Sequence, residues 1–180
     1  DSFYNYFVTD DGPVSIPVTL LLSGFGIVED AQHVIGASLR RVGSKICILG
    51  KTRPGLRGSV FAKWTRGAGA DAAPGFDEQV ALDSYRSYHE LVKKGAVLST
   101  HDISEGGLAV ALAEMAFSGK AGVRVEIDRL PTEGHCNVAE LLFGETPGRL
   151  LVEIAPEHLS TAIEHGLIPI GESTGERWLH

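Results

Sequence analysis

Cysteine is nearly missing from this chain: there are two in 180 residues, Cys47 and Cys136. They lie far apart without metal-ligand spacing, which argues against a disulfide framework and a cysteine zinc site, so a reducing, cytoplasmic compartment fits best. His33, His89, His135, His158, His165 and His180 show no ligand spacing either. No apolar run reaches the roughly 18 residues that a membrane span requires, and no signal-peptide pattern is present. Basic residues are the minority, 16 Lys and Arg against 23 Asp and Glu, for a net charge of −7. That balance argues against a nucleic-acid groove or an anionic membrane as the main partner. It leaves room for a phosphorylated small molecule, which needs only a local cluster of amides and a metal. Neither a Gly-x-Ser-x-Gly elbow nor a P-loop lysine motif occurs. The one methionine is Met115, and the opening Asp1-Ser2-Phe3 reads as part of a longer polypeptide.

What is present centres on residues 99–112, Ser-Thr-His-Asp-Ile-Ser-Glu-Gly-Gly-Leu-Ala-Val-Ala-Leu. An apolar run over 95–98 leads into a polar turn at His101, Asp102, Ser104 and Glu105. Gly106 and Gly107 follow, then an Ala/Leu-rich helix to about Phe117. A strand, a polar turn, two glycines and a helix start make an anion site, because free amides and the helix dipole face the ligand. Asp102 is a hard oxygen donor suited to Mg²⁺ beside a phosphate. The same residues also admit a purely structural account. Asp102 or Ser104 would cap the helix, and the glycines would serve close helix–sheet packing.

The remaining pattern predicts an aromatic strand over 3–8, a turn at 10–13, and a long buried strand over Pro17–Val28 with a bulge or close backbone approach at its glycines. A core strand is expected at Lys45–Leu49. A loop over 53–76 should contain a short helix near Ser59–Lys63. Helices are expected over Asp77–Lys94, with Gly95 as C-cap, and over 106–117, 138–143 and 157–165. Further strands are expected at 123–127, 150–154 and 168–171. Together these give an α/β (α+β) sandwich with helices packed on a mixed sheet.

Four pieces carry a family resemblance. They are Asp1-Ser2-Phe3-Tyr4-Asn5; Ile16 to Leu21 through Gly26 to Asp30; His101 to Phe117; and Leu142-Phe143-Gly144-Glu145-Thr146-Pro147-Gly148-Arg149. In this order and spacing the chain resembles the C-terminal part of the phosphoribosylformylglycinamidine synthases, in the AIR-synthetase-like superfamily. The resemblance implies the end of a truncated N-terminal-type domain over 1–16 and a C-terminal-type domain over 17–180. It also implies ATP-dependent conversion of formylglycinamide ribonucleotide to formylglycinamidine ribonucleotide with glutamine-derived ammonia, in purine biosynthesis. ATP and Mg²⁺ are the implied cofactors. The implied partners are the missing N-terminal domains, a glutaminase subunit and a small bridging subunit, with no nucleic acid or membrane. On this basis the fragment is expected to be inactive alone.

Carried over by position, Asp102 matches a Mg²⁺-binding aspartate, and Ser104, Gly106 and Gly107 a nucleotide-binding turn. Ser2 matches a substrate-contacting serine whose preceding residue pair is absent here. Glu145, Thr146 and Arg149 match a substrate-side loop. No residue is assigned a catalytic role. Arg57 stands where the family has a glycine, and Gly144 and Gly148 stand where it has serine and a polar residue.

Two alternatives are a non-catalytic scaffold or docking domain of the same synthetase, and another ATP-using member of the superfamily. Among single residues, His101 could act as a general acid or base but is expected to orient the Asp102 turn; Lys51 or Arg53 could pair with phosphate but are expected to be solvated loop charges; and Trp64 could stack on a base but is expected to cap the edge of the core.

Overall fold

The computed structural model describes residues 6–15, 21–28, 30–31, 34–67, 72–119 and 121–176. The chain divides into two units, Asp1–Ala31 and Gln32–His180.

In the first unit, β1 (Tyr6–Thr9) and β2 (Gly12–Ser15) pair antiparallel from Tyr6 opposite Ser15 to Thr9 opposite Gly12. The turn is the two residues Asp10 and Asp11, shorter than the four expected, and Gly12 leaves it at φ +116°. The buried strand expected over Pro17–Val28 is not formed over 21–28: these residues have no regular structure, and Phe25 is 99% exposed. Residues 16–20 lie outside the described residues. A buried strand needs a neighbour for its ladder and cover for its side chains. Among the described residues 21–28 has no paired strand, and Gly24 and Gly26 have open space where a Cβ would stand.

The second unit is built on a five-stranded sheet of β3 (Lys45–Leu49), β4 (Val97–Asp102), β5 (Gly122–Val125), β6 (Leu150–Ile154) and β7 (Ile168–Thr174), in the order β4-β6-β3-β7-β5. Every pair in it is antiparallel, where alternating strands and helices had suggested a mixed sheet. The helices are α1 (Val60–Trp64), α2 (Glu78–Lys93), α3 (Gly107–Ser118), α4 (Val138–Phe143) and α5 (Leu159–Glu164).

Period-two alternation assigns the two faces. Ile46 and Ile48 of β3, Leu151 of β6, Val123 of β5 and Ile170 of β7 meet Leu108, Ala111, Leu112 and Met115 of α3. Cys47 and Leu49, with Val152 and Ile154, meet Leu91 of α2 and Ala162 of α5 on the other side. Covering both faces explains why β3 and β6 read as nearly continuous apolar runs. The helix ends have local causes, with Asp77 outside α2 as its N-cap and Lys94, one residue before Gly95, as its C-cap. Asp77 accepts from the Val80 amide at 3.0 Å to begin α2, and Gly95 ends it at φ +68°. Ser59 caps α1, and Phe61 of that helix stacks on Phe143 of α4 at 5.0 Å.

One residue breaks the apolar pattern of β6. Glu153 is fully buried, and its carboxylate accepts from the amides of Arg40 (2.9 Å) and Arg41 (3.0 Å) and from the hydroxyls of Ser44 and Ser99, each at 2.7 Å. These bonds tie the irregular segment before β3 to the sheet. The same segment covers the edge of β4, where Thr100 donates to the Gly36 carbonyl at 3.0 Å.

Candidate functional site

The register gathers three loops at one end of the strands. Leu150, at the start of β6, lies opposite Leu49 at the end of β3 and opposite Asp102 at the end of β4. The loop after β3, the turn after β4 and the 144–149 loop before β6 therefore leave from the same place.

β4 runs through Asp102, so the first four residues of the 99–112 segment are strand and the turn begins at Ile103. Polar letters alone had suggested that the strand ended at Leu98. Pairing with β6 extends it instead, with Ser99 buried onto Glu153. His101 is fixed from two sides. Its Nδ1 donates to the Asp102 carbonyl at 2.7 Å, and its Nε2 lies 3.1 Å from Glu114 Oε2 on α3. The Asp102 side chain is 67% exposed, with Oδ1 3.4 Å from the His101 ring. Ser104 and Glu105 are exposed as well. Neither Asp102 nor Ser104 caps α3, whose N-cap is Gly106 without a side-chain bond.

The glycine pair answers both backbone conformation and packing. Gly106 and Gly107 stand at φ +82° and +72°. A Cβ on Gly107 would come within 2.7 Å of the Phe143 carbonyl carbon and 2.9 Å of the Gly144 oxygen. A Cβ on Gly106 would run into the Val110 side chain. The Gly106 amide is not free: it donates to Glu145 Oε1 at 2.8 Å.

Glu145, Thr146 and Arg149 turn out to frame their own loop. Thr146 is buried, and its hydroxyl accepts from the Arg53 amide (3.0 Å) and donates to the Arg53 carbonyl (3.2 Å). Arg149 is 2% exposed. Its guanidinium donates to the Thr146 carbonyl (3.1 Å), the Thr52 hydroxyl (2.9 Å) and the Gly144 carbonyl (2.5 Å). Burial pulls its pKa down to about 10, which still leaves it charged at neutral pH. None of the ion pairs among the described residues involves it. Glu145 Oε1 also accepts from the Val60 amide at 2.8 Å. Glu140, which no motif singled out, closes a capping box with Asn137 and reaches the Gly55 amide at 2.9 Å.

Of the other expected residues, Ser2 lies outside the described residues. Arg53 pairs with Glu133 at 3.2 Å, while Lys51 is exposed. Trp64 is 85% exposed on α1 rather than set against the core edge. Arg57, at the position of a family glycine, has ordinary backbone, whereas Gly58 beside it stands at φ +86°. A cleft of about 460 Å³ opens on the α2 side of these strand ends, lined in part by Leu49, Lys51, Phe76, Ala81, Gly148 and Ile168. The 101–107 turn contributes nothing to that cleft.

Among the described residues no group of three His, Cys, Asp or Glu side chains is placed to hold a metal ion. Mg²⁺ is ordinarily held by one or two carboxylates together with substrate phosphates. The exposed Asp102 carboxylate therefore fits a Mg²⁺ that arrives with a nucleotide, and does not by itself make a protein-only metal cage. No helix of the described residues is long and apolar enough to cross a membrane.

Residues 41–177 match the family described as AIR synthase related protein, C-terminal domain. The phosphoribosylformylglycinamidine synthase subunit PurL of Beijerinckia indica is 35% identical over 142 residues, covering 79% of this chain and 19% of that protein. Its counterpart in Lactobacillus helveticus is 31% identical over 183 residues, covering 99% of this chain and 23% of that protein. The chain thus spans about a fifth of the length of these curated relatives. Among solved structures, Thermotoga maritima PurL complexed with FGAR has a TM-score of 0.66 at 23% identity, covering 92% of this chain and 27% of that one. The same protein complexed with ATP has a TM-score of 0.64 at 22% identity, covering 92% and 25%. E. coli HypE has a TM-score of 0.61 at 18% identity, covering 81% and 48%. At these identities the structures share the fold with this chain, and HypE shares it about as well as PurL does.

Proposed function

The chain belongs to the AIR synthase related proteins through their C-terminal domain, and from that premise we propose that it is the C-terminal part of a PurL-type phosphoribosylformylglycinamidine synthase. The observation that carries this is a match to PurL subunits at 31–35% identity across 79–99% of the chain, with the His101–Gly107 segment at the strand ends where three loops meet. The likeness to HypE rests on fold alone, and fold does not determine function. The division into an N-terminal-type end over 1–16 and a C-terminal-type domain over 17–180 belongs to the same proposal, as does a cytoplasmic location. The family match over 41–177 supports the larger part.

On this reading the whole synthase joins ammonia to formylglycinamide ribonucleotide at the expense of ATP. Mg-ATP would supply the phosphoryl group that activates the substrate amide for displacement by ammonia. The protein's contribution to such chemistry is mostly positioning and charge stabilisation. Asp102 offers an exposed hard oxygen at the end of β4. His101, pinned between Glu114 and the Asp102 carbonyl, holds the backbone that carries that side chain. Ser104 adds an exposed hydroxyl in the turn. The 144–149 loop would face substrate with Glu145, Thr146 and Arg149 as its frame, and Ser2 would complete the substrate side. The remaining domains, the glutaminase subunit and the small bridging subunit complete the assembly, and this chain alone does not turn over.

A scaffold role is the second reading. It is favoured by the engagement of the Gly106 amide, Thr146 and Arg149 in internal bonds. Calorimetric titration of the 180-residue chain with Mg-ATP, Mg-ADP and formylglycinamide ribonucleotide separates the two. Nucleotide binding that is lost in Asp102→Ala supports the ligase reading. Binding of none of the three, with the Asp102→Ala protein equally stable, supports the scaffold.

A further inference from the structure

One oxygen of Glu145 serves two helices. Oε1 accepts from the amide of Val60, the first residue of α1, and from that of Gly106, which precedes α3, both at 2.8 Å. Helix starts carry amides with no intrahelical partner, and a carboxylate is a strong acceptor for them. The loop that bears Glu145 is pinned without its help. Thr146 is bonded to both backbone groups of Arg53, and Arg149 holds the carbonyls of Gly144 and Thr146. The carboxylate therefore hangs from a fixed frame. Glu140, one helix earlier, holds Gly55 in the same way, but it is Glu145 that reaches the motif turn as well.

We infer that Glu145 is a positioning residue: it anchors the Gly106 amide, and with it the 101–107 turn, to the start of α1. While it does so, its carboxylate is committed to the backbone and is not a substrate ligand. The seating of α1 and the shape of the turn are then coupled through a single oxygen. The functional side of this inference rests on the turn being the ligand-facing element proposed above; the anchoring itself does not.

Amide hydrogen exchange read by NMR on the 180-residue chain tests the anchor directly. Glu145→Ala should raise exchange at Gly106 and Val60 together by about tenfold, the loss of a charge-assisted hydrogen bond. The amides of β3 and β6 should be unchanged, and Glu145→Gln, which keeps an oxygen acceptor but loses the charge, should raise exchange at the same two amides by a smaller factor. Unchanged exchange at Gly106 and Val60, or equal acceleration throughout β3 and β6, would overturn the inference. Should the alanine variant fail to fold, Glu145→Gln decides the question: exchange rising at both amides supports the anchor, and exchange rising at one or neither overturns it. Mg-ADP titration of the same samples should show weaker binding in Glu145→Ala than in the unchanged chain, and equal affinity would overturn the coupling to the turn. If the unchanged chain binds no nucleotide, the ligand-facing role proposed for the turn in this chain alone fails while the exchange result stands.

Discussion

The guanidinium of Arg149 donates to the hydroxyl of Thr52 at 2.9 Å, so the loop that leaves β3 and the loop that enters β6 are joined beneath the surface. Two further bonds from the same group hold the Thr146 and Gly144 carbonyls. A buried cation satisfied by carbonyl and hydroxyl oxygens, without a carboxylate, acts as a hub for backbone. Arg149→Ala would strand these acceptors away from water and should destabilise the chain by about 3 kcal/mol or more. Arg149→Lys keeps the charge but has no planar fork, and should recover only part of the loss. Urea unfolding of the two variants measures both; a lysine variant as stable as the parent would show that charge alone suffices.

Gly107 and Gly58 separate two reasons for glycine. Both stand at positive φ, but a Cβ on Gly107 meets the α4 backbone while one on Gly58 meets nothing within 4 Å. Gly58→Ala should cost only the left-handed backbone penalty, about 1 kcal/mol. Gly107→Ala adds overpacking against atoms that cannot turn aside, for about 2–4 kcal/mol in all. Equal losses in thermal unfolding would mean that α4 yields to the new methyl group.

Glu153 is a buried carboxylate whose partners are all donors. Glu153→Ala leaves the Ser44 and Ser99 hydroxyls and the Arg40 and Arg41 amides without an acceptor, at about 1–3 kcal/mol for each donor that water cannot reach. Glu153→Gln keeps one oxygen but turns an amide toward donors, so it should fall between Ala and the parent. Loss of exchange protection should be greatest at Arg40 and Arg41, whose amides donate to this carboxylate.

The two thiols should behave differently toward alkali and alkylating reagents. Burial pushes Cys47 up to about 12 from an ordinary 9.0, against a smaller opposing pull from Lys45. The unfolded chain therefore gives up this proton first, and stability falls as pH rises from about 9 toward 12. Cys47→Ala should flatten that part of the stability curve. At pH 8, iodoacetamide should modify the half-buried Cys136 while Cys47 stays unmodified until the chain unfolds. Mass spectrometry of the labelled peptides distinguishes them.

What could be read from the sequence was local. The helices near Ser59–Lys63 and over Asp77–Lys94, with Gly95 at the end of the second, rest on signals within a few residues, and the apolar runs of β3 and β6 fit two-sided burial. The bonds that build the site are long-range and leave no periodic trace: Glu145 to Gly106, Glu140 to Gly55 and Glu153 to Arg40 join residues 39, 85 and 113 positions apart. A solitary carboxylate inside the apolar run of β6 was the one available hint of Glu153. Strand direction was equally hidden, because alternating strands and helices do not determine which way each strand returns. The extension of β4 to Asp102 depends on pairing with β6, while Ser-Thr-His-Asp read alone looks like a turn.

Asp102 and Glu145 should fail in opposite ways. The Asp102 side chain is exposed and bears no backbone frame, its nearest partner being the His101 ring at 3.4 Å. Asp102→Asn should change stability by no more than about 0.5 kcal/mol. Under the proposed function it should nonetheless remove a thermal shift that Mg-ADP produces in the parent, because a neutral amide is a poor ligand for Mg²⁺. A nucleotide at about 100 times its Kd stabilises the state that binds it by about 2.7 kcal/mol, which a melting curve resolves easily. Glu145→Ala should instead lower the melting temperature with no ligand present, since two helix starts lose their acceptor. An Asp102→Asn protein that keeps the full Mg-ADP shift would remove Asp102 as the metal-bearing group and leave the turn a structural joint between β4 and α3.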